Sequence, residues 1–361
     1  MDNGEKLFTD LFVLEMANNH WGEVNRGMAI ISAFSRIVRY NNIKAAIKLQ
    51  FRDVDAFIHS DFRERQDVKY IKKTLDTKLS RDDYETLVRA IRSSGCITMS
   101  TPFDDRSVDL CVELGIDIIK IASSDINDWI LIEKIATIRK PVIVSTGGSS
   151  LKDIDDLVTF FSRRNIPLAI NHCVSLYPSD DDELELNQID FLVDRFPDTV
   201  IGFSSHEQND WHSSVMLAYA KGARTFERHI DIDADGIPVS SYCTLPQQAD
   251  TWFKAWKTAV LMCGASGNQM RIPKRREVEY LDQLVRGVYA KKDLKKGSIL
   301  TLDNVYLAIP LQKGQISCRE LMNGERLVSD LQKDSPIHID DVDSPYAKNK
   351  TLQELIYDRG L

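Results

Sequence analysis

Two histidines stand at equivalent places in this chain. The apolar run Thr199–Phe203 ends in Ser204-Ser205-His206-Glu207, and a helical segment follows from about Trp211 to Gly222. A second run, Thr225-Phe226-Glu227-Arg228-His229, then ends in the other histidine. If both runs are parallel strands of one β/α barrel, their C-terminal ends are neighbours on the face where such barrels place their chemistry. Either histidine alone reads as a polar group satisfying the rim. As a pair at successive strand ends they read as ligands, His206 and His229, for one divalent metal ion. Two imidazoles leave the coordination sphere open, which suits Mn²⁺, with Mg²⁺ or Co²⁺ as alternatives, better than a closed zinc site.

The other strand ends carry matching chemistry. Glu15, Asn18, Asn19 and His20 follow the first apolar run, Lys48 and Gln50 the second, Thr101 the third, Lys120, Ser123 and Asp125 the fourth. Ser145 closes the fifth, Asn171 and then Tyr177 the sixth. Lys48 and Gln50 share a side by the period-two alternation of a strand, as do Glu227 and His229. A lysine inside a barrel of apolar strands is costly unless an anion pairs with it. Glutamates such as Glu15 or Glu227 are expected to account for one of Lys48 and Lys120, but not for both. The hydroxyls of Thr101, Ser123, Ser145 and Ser204 aim donors at the same mouth, which suits phosphate and carboxylate oxygens. The residues therefore call for a metal-assisted enzyme acting on a small phosphorylated or carboxylated compound, the metal polarising a carbonyl as a Lewis acid.

These residues need a frame. Strand-like runs rich in Val, Ile and Leu occur at Leu11–Glu15, Lys44–Leu49, Cys96–Ser100, Asp117–Ala122, Pro141–Ser145, Pro167–Asn171, Thr199–Phe203 and Thr225–His229. Amphipathic segments separate them, such as Arg26–Val38, Asp82–Ile91, Leu151–Phe161 and Gln248–Leu261. Eight such units predict a (β/α)8 TIM barrel over residues 1–265. A doubly wound sheet fits less well, because no GxGxxG turn is present. One connection, Phe51–Leu79, is long and basic, as lids and partner surfaces are. A linker is expected over 266–283 and a small β-rich domain over 284–344. Within that domain, Asp293-Leu-Lys-Lys-Gly…Val305 is echoed by Asp330-Leu-Gln-Lys-Asp…Val342. Residues 345–361 read as a short helical tail.

Composition narrows the classes. The chain has 361 residues and a net charge of −8, so neither nucleic acid nor an anionic membrane surface is an expected partner. The N-terminus lacks a signal-peptide layout, no apolar run approaches the ~20 residues of a membrane span, and the six cysteines are scattered without CxxC spacing. Reduced thiols in the cytoplasm are expected.

Taken in order, Glu15-Met-Ala-Asn-Asn-His20, Lys48-Leu-Gln50, Ser100-Thr-Pro-Phe103, Lys120-Ile-Ala-Ser-Ser-Asp125-Ile-Asn127, Ser145-Thr-Gly147, His172-Cys-Val-Ser-Leu-Tyr-Pro178 and Glu227-Arg-His229 resemble the bacterial sialic acid synthases. Lys295-Lys-Gly297 and Leu302-Asp-Asn304 resemble their antifreeze-like (SAF) domain. The resemblance spans nearly the whole chain. It implies condensation of phosphoenolpyruvate with an N-acylated aminosugar to a nonulosonic acid and phosphate, by C–O cleavage, in a domain-swapped homodimer whose small domains cap the partner barrels. It also implies that His206 and His229 hold Mn²⁺, that Lys48, Thr101, Lys120, Ser123, Ser145 and Ser204 grip phosphoenolpyruvate, and that Gln50, Asp125 and Tyr177 face the sugar. Glu15 would be the acid/base group.

The sequence departs from the family at the sugar end. Ser204-Ser205-His206-Glu207 stands for Ser-Asp-His-Thr, Asp125 for a glutamate, Ser175 for an asparagine, and Ile309 near the position of the small domain's arginine, with Arg286 and Arg319 as substitutes. The family's sugar-binding Asp after the eighth strand would be replaced by Asp231, Asp233 or Asp235. The same reaction on a different acceptor is the expectation. Two alternatives stand beside it. One is a condensing enzyme of the octulosonate- or heptulosonate-phosphate type using a phosphorylated aldose, against which residues 284–342 argue. The other is a catalytically weakened sugar-binding regulatory relative, against which Lys48, Lys120, His206 and His229 argue together.

Overall fold

In the computed structural model, residues 3–65, 67–265, 269–321 and 324–361 are described, with side chains from residue 6. The chain forms two compact units, Met1–Gly264 and Ala265–Leu361. The start of the expected linker, residues 266–268, lies outside the described residues.

The first unit is a closed barrel of eight parallel strands in sequential order. They are β1 (Leu11–Glu15), β2 (Ala45–Phe51), β3 (Ile97–Pro102), β4 (Ile118–Ile121), β5 (Val142–Ser145), β6 (Leu168–Cys173), β7 (Val200–Ser205) and β8 (Thr225–His229). Alternation along these strands divides the core in two. Phe12, Leu14, Ile47, Leu49, Ile119, Val144, Ile170 and Phe226 face outward into the layer of helices. Leu11, Val13, Ala46, Met99, Ile118, Ile143 and Ala169 fill the lumen, with Phe8 of the N-terminal helix Asn3–Phe8 packed among them. The lumen is thus apolar low down, and the next inward residue of each strand forms the polar layer described below. The helices begin where sequence chemistry starts them. Ser80 with Asp83 and Ser150 with Asp153 form capping boxes for Arg81–Ser93 and Leu151–Ser162.

The second unit pairs β9 (Gly287–Ala290) with β10 (Val305–Ala308) and β11 (Arg326–Leu327) with β12 (Val342–Asp343). The internal repeat is a true pseudo-twofold. Leu294 and Leu331 exchange backbone hydrogen bonds of 2.8 and 2.9 Å. Lys296 N–H donates to Asp330 and Lys333 N–H donates to Asp293, both at 2.8 Å. Gly297 and Asp334, equivalent in the repeat, both adopt positive φ, +85° and +63°. Where a linker was expected, Arg275–Asp282 is a solvent-exposed helix supported by Arg275–Glu279 at 2.7 Å. All six cysteines are free, and no helix among the described residues is long and apolar enough to cross a membrane.

Open space surrounds the Gly297 Cβ position, so substitution there strains only the backbone. Gly297→Ala is expected to destabilise the second unit by about 1–2 kcal/mol, read as a lower denaturant midpoint; an unchanged midpoint would contradict the assignment.

Candidate active site

The polar layer follows from strand parity. Glu15, Lys48, Thr101, Lys120, Ser145, Asn171, Ser204 and Glu227 are the inward residues immediately above the apolar lumen, and all are buried. Register places Glu15 beside both Lys48 and His229, Ser145 beside Asn171, and Ser204 beside Glu227.

Glu227 organises this floor. One carboxylate oxygen takes Lys48 Nζ at 2.9 Å and the other takes Lys120 Nζ at 2.6 Å. Asn171 Nδ2 donates to Glu227 at 3.4 Å. Lys48 also forms an ion pair with Glu15 and donates to Thr101 Oγ1 at 3.3 Å. The expectation that carboxylates would account for only one of the two lysines is therefore corrected: both are paired, because Glu227 bridges them. Burial would raise the Glu227 carboxyl, but Lys120 and Lys48 overcome it and hold it far below the usual range. Burial draws Lys48 down to about 8 against the pull of Glu227. Glu15 accepts from Ala17 N–H at 2.6 Å and from Gln50 Nε2 at 3.5 Å, so its neighbours are donors throughout. The Ser145 hydroxyl is buried with no hydrogen-bond partner among the described residues. Ser123 Oγ accepts from Gly147 N–H at 3.1 Å, and a Cβ at 147 would lie 2.0 Å from Ser175 Oγ, so any larger residue there would displace that hydroxyl.

Above the floor, His206 and His229 come together with ring centroids 5.4 Å apart. Tyr177, from the loop after β6, lies 4.1 Å from the His206 ring, and Tyr242 lies 5.3 Å from His229. His206 Nδ1 meets the Val174 carbonyl at 2.9 Å, so it carries the proton and Nε2 keeps its lone pair. Burial lowers His206 to about 4 and, with the fields of His206 and Lys48, holds His229 well below its ordinary value. Two neutral imidazoles with one oriented lone pair fit a divalent ion with metal–nitrogen bonds of about 2.1 Å. Among the described residues no third His, Cys, Asp or Glu joins them. The donor set is an open one.

At the outer rim, Gln50 accepts from Arg52 at 2.9 Å. Asp125 has one carboxylate oxygen buried without a partner, and burial raises its carboxyl. Of the substitutes considered for the family's sugar-binding acid, Asp231 is taken by Arg26 at 2.7 Å, Asp235 also contacts Arg26, and Asp233 is exposed. Ile309 is 59% exposed, and Arg286 and Arg319 are exposed too. The bridging role of Glu227, the contacts of Tyr242 and the burial of Arg52 were missed at the level of sequence. Only Glu227 left a signal there, its shared side with His229.

Residues 41–256, more than half of the chain, match the NeuB family. The chain belongs to the NeuB family. Residues 285–343 of this NeuB-family enzyme match the SAF domain. A crystal structure assigned to spore coat polysaccharide biosynthesis protein E of Chromobacterium violaceum is similar at 38% identity and TM-score 0.88, covering 93% of this chain and 100% of that one. N,N'-diacetyllegionaminic acid synthase of Campylobacter jejuni is 28% identical over 82% of this chain and 89% of its own. N-acetylneuraminate-9-phosphate synthase of Drosophila melanogaster is 25% identical over 92% and 96%.

Two outcomes test the site. Glu227→Gln leaves buried lysines without their bridging charge and is expected to cost on the order of 3–5 kcal/mol, with inorganic phosphate raising the melting temperature more in the variant than in the parent. Folded, His20 and His206 stay neutral down to about 4, because burial disfavours their charge, whereas unfolded they protonate near the ordinary imidazole value of about 6.5. The unfolded chain therefore binds more protons in between, and stability present above pH 6.5 is lost as pH falls toward 4. The melting temperature should fall across that window, and less steeply in His206→Asn.

Proposed function

We propose that this NeuB-family enzyme condenses phosphoenolpyruvate with the aldehyde of an N-acylated aminosugar, giving a nonulosonic acid and phosphate. The observation that carries the reading is the buried Lys48–Glu227–Lys120 bridge directly beneath two neutral imidazoles. Relatives named as legionaminic acid and N-acetylneuraminate-9-phosphate synthases support it.

Lys48 and Lys120, with the hydroxyls of Thr101, Ser123, Ser145 and Ser204, hold the phosphate and carboxylate of phosphoenolpyruvate. Ser145 offers a hydroxyl that no described residue satisfies. Gln50, Asp125 and Tyr177 orient the open-chain sugar so that its aldehyde carbon meets carbon three of the enolpyruvate. A carbon–carbon bond forms there as the enol electrons move, leaving the aldehyde oxygen as an alkoxide, and water adds at carbon two. Glu15 takes one proton from this water and passes it to the alkoxide, so the carboxylate ends as it began. The bond between carbon two and the bridging oxygen then breaks, the carbon-two hydroxyl becomes the ketone as its proton goes to the phosphate, and phosphate leaves.

His206 and His229 would hold the divalent ion, Mn²⁺ in the first instance. When bound, the ion supplies Lewis acidity at the aldehyde oxygen and the positive charge that a floor with two lysines and two glutamates lacks. Carried over from the family, the working assembly is a cytoplasmic homodimer in which each small unit caps the other barrel.

The test is phosphate release from phosphoenolpyruvate with Mn²⁺ over a panel of N-acylated hexosamines, their dideoxy relatives and phosphorylated aldoses. Release with an aminosugar, abolished by chelator and lowered at least ~1,000-fold by His229→Ala, is the expected result. Release with phosphorylated aldoses alone would move the enzyme to the heptulosonate type. Binding of phosphoenolpyruvate without turnover would favour the regulatory reading. Because the floor is charge-balanced, chelator should also weaken calorimetric binding of phosphoenolpyruvate at least tenfold, about 1.4 kcal/mol.

A further inference from the structure

Each imidazole residue is tied to a tyrosine by the same device. Ser179 N–H donates to the His206 carbonyl at 3.2 Å, and Tyr177, two residues earlier, holds its ring 4.1 Å from that of His206. Thr244 N–H donates to the His229 carbonyl at 2.8 Å, and Tyr242, two residues earlier, holds its ring 5.3 Å from that of His229. The two tyrosine rings meet edge to face at 5.4 Å. Two strand ends and two loops thus deliver four rings to one place, and loops have no ladder of their own to keep them there.

One side chain behind the barrel wall reaches the backbone supporting all four. Arg228 is 1% exposed and precedes His229 on the outward face of β8. Its guanidinium pairs with the Glu207 carboxylate at 2.5 Å and donates to the Glu207 carbonyl at 2.6 Å. Glu207 follows His206 and bridges to Ser179, the anchor of the Tyr177 loop. The Ser214 hydroxyl, in the first turn of the helix Ser213–Ala220, donates to the same Glu207 oxygen. On its other edge Arg228 Nε donates at 2.9 Å to Thr244 Oγ1, and Thr244 anchors the Tyr242 loop.

A buried ion pair is weak evidence of a stabilising role, because two apolar side chains of similar volume often serve a fold as well. What apolar side chains lack is direction. The donors of a guanidinium leave in one fixed plane, so each bond sets an angle as well as a distance. Every group that Arg228 fixes in this way flanks a ring of the cluster, and none belongs to the lysine floor. We propose that Arg228 is a positioning residue, a role that rests on the ion site proposed above. Acting through Glu207 and Thr244, it sets how His206 and His229 face each other and holds Tyr177 and Tyr242 against them.

The experiment titrates Mn²⁺ alone into the full-length protein by calorimetry, without substrate, and records the visible spectrum with Co²⁺ in its place. Glu207→Leu combined with Arg228→Met removes one charge of each sign together with the fork, whereas Arg228→Lys keeps the charge and loses only the fork. Both are expected to melt cooperatively and to bind Mn²⁺ at least ~10-fold more weakly than the parent, with the Co²⁺ bands moved. Ser205→Asp combined with Glu207→Thr returns an acid to Arg228 from a position whose hydroxyl it already reaches at 3.4 Å, and should bind Mn²⁺ more tightly than the apolar pair. Affinity equal to the parent's in the folded apolar pair or in Arg228→Lys, with unmoved Co²⁺ bands, would overturn the proposal. If the apolar pair does not fold, Arg228→Lys decides alone. If the parent itself binds no ion, the ion reading fails, and nitrogen NMR of isotope-labelled histidines then decides the positioning. His206 should lose its hydrogen-bonded Nδ1 proton in Arg228→Lys, and an unchanged signal would overturn the role of Arg228 as well.

Discussion

One buried carboxylate sets the electrostatics of this barrel. Glu227 faces Lys48 on one oxygen and Lys120 on the other, and no comparable charge could stand at that depth alone. Its partners come from strands far apart in the chain, so the bridge forms only when the barrel closes. Closure is thereby tied to the chemistry of the floor: the same bridge that lets two lysines be buried holds them at fixed positions beneath the imidazoles. It also leaves that floor balanced, since Glu15 answers the charge that Glu227 leaves over. A small anion binding there must either displace part of the bridge or be drawn by charge added above it.

Much of this was legible because strands obey a two-residue period. Once Leu11, Val13, Ala46, Met99, Ile118 and Ile143 are assigned to the lumen, parity alone sends Glu15, Lys48, Gln50, Thr101, Lys120, Ser145, Glu227 and His229 the same way. The repeat in the second unit was legible for a similar reason. Equivalent residues must satisfy equivalent backbone groups, and Asp293 and Asp330 do so reciprocally. What a one-dimensional pattern cannot state is which inward charge meets which. Lys48 and Lys120 looked too many for the available glutamates until geometry showed one glutamate serving both. Loop side chains were less legible still. Tyr242 lies 13 residues past His229 in a stretch with no period, yet packs on its ring.

The outward face of the same strands explains a departure that looked like a loss. Where the family's motif has an acid before the histidine, this chain has Ser205, and Glu207 follows His206 instead. Glu207 does not face the lumen ligands. It takes Arg228 Nη1 at 2.5 Å, with both side chains essentially inaccessible, and its backbone carbonyl takes Arg228 Nη2 at 2.6 Å. Arg228 also reaches Ser205 Oγ at 3.4 Å and Thr244 Oγ1 at 2.9 Å. Arg228 immediately precedes His229, and Glu207 immediately follows His206. The ion pair therefore clamps the backbones of both imidazoles from outside the barrel, on the parity opposite to theirs. An acid that turned inward would put a carboxylate beside the two imidazoles and take one of the positions left to substrate or water. One that turns outward leaves that space free and contributes rigidity instead. The changed order of Ser205 and Glu207 is on this geometry a relocation of the supporting charge, and the space between the two imidazoles stays free of protein carboxylates, as the ion proposed there would need.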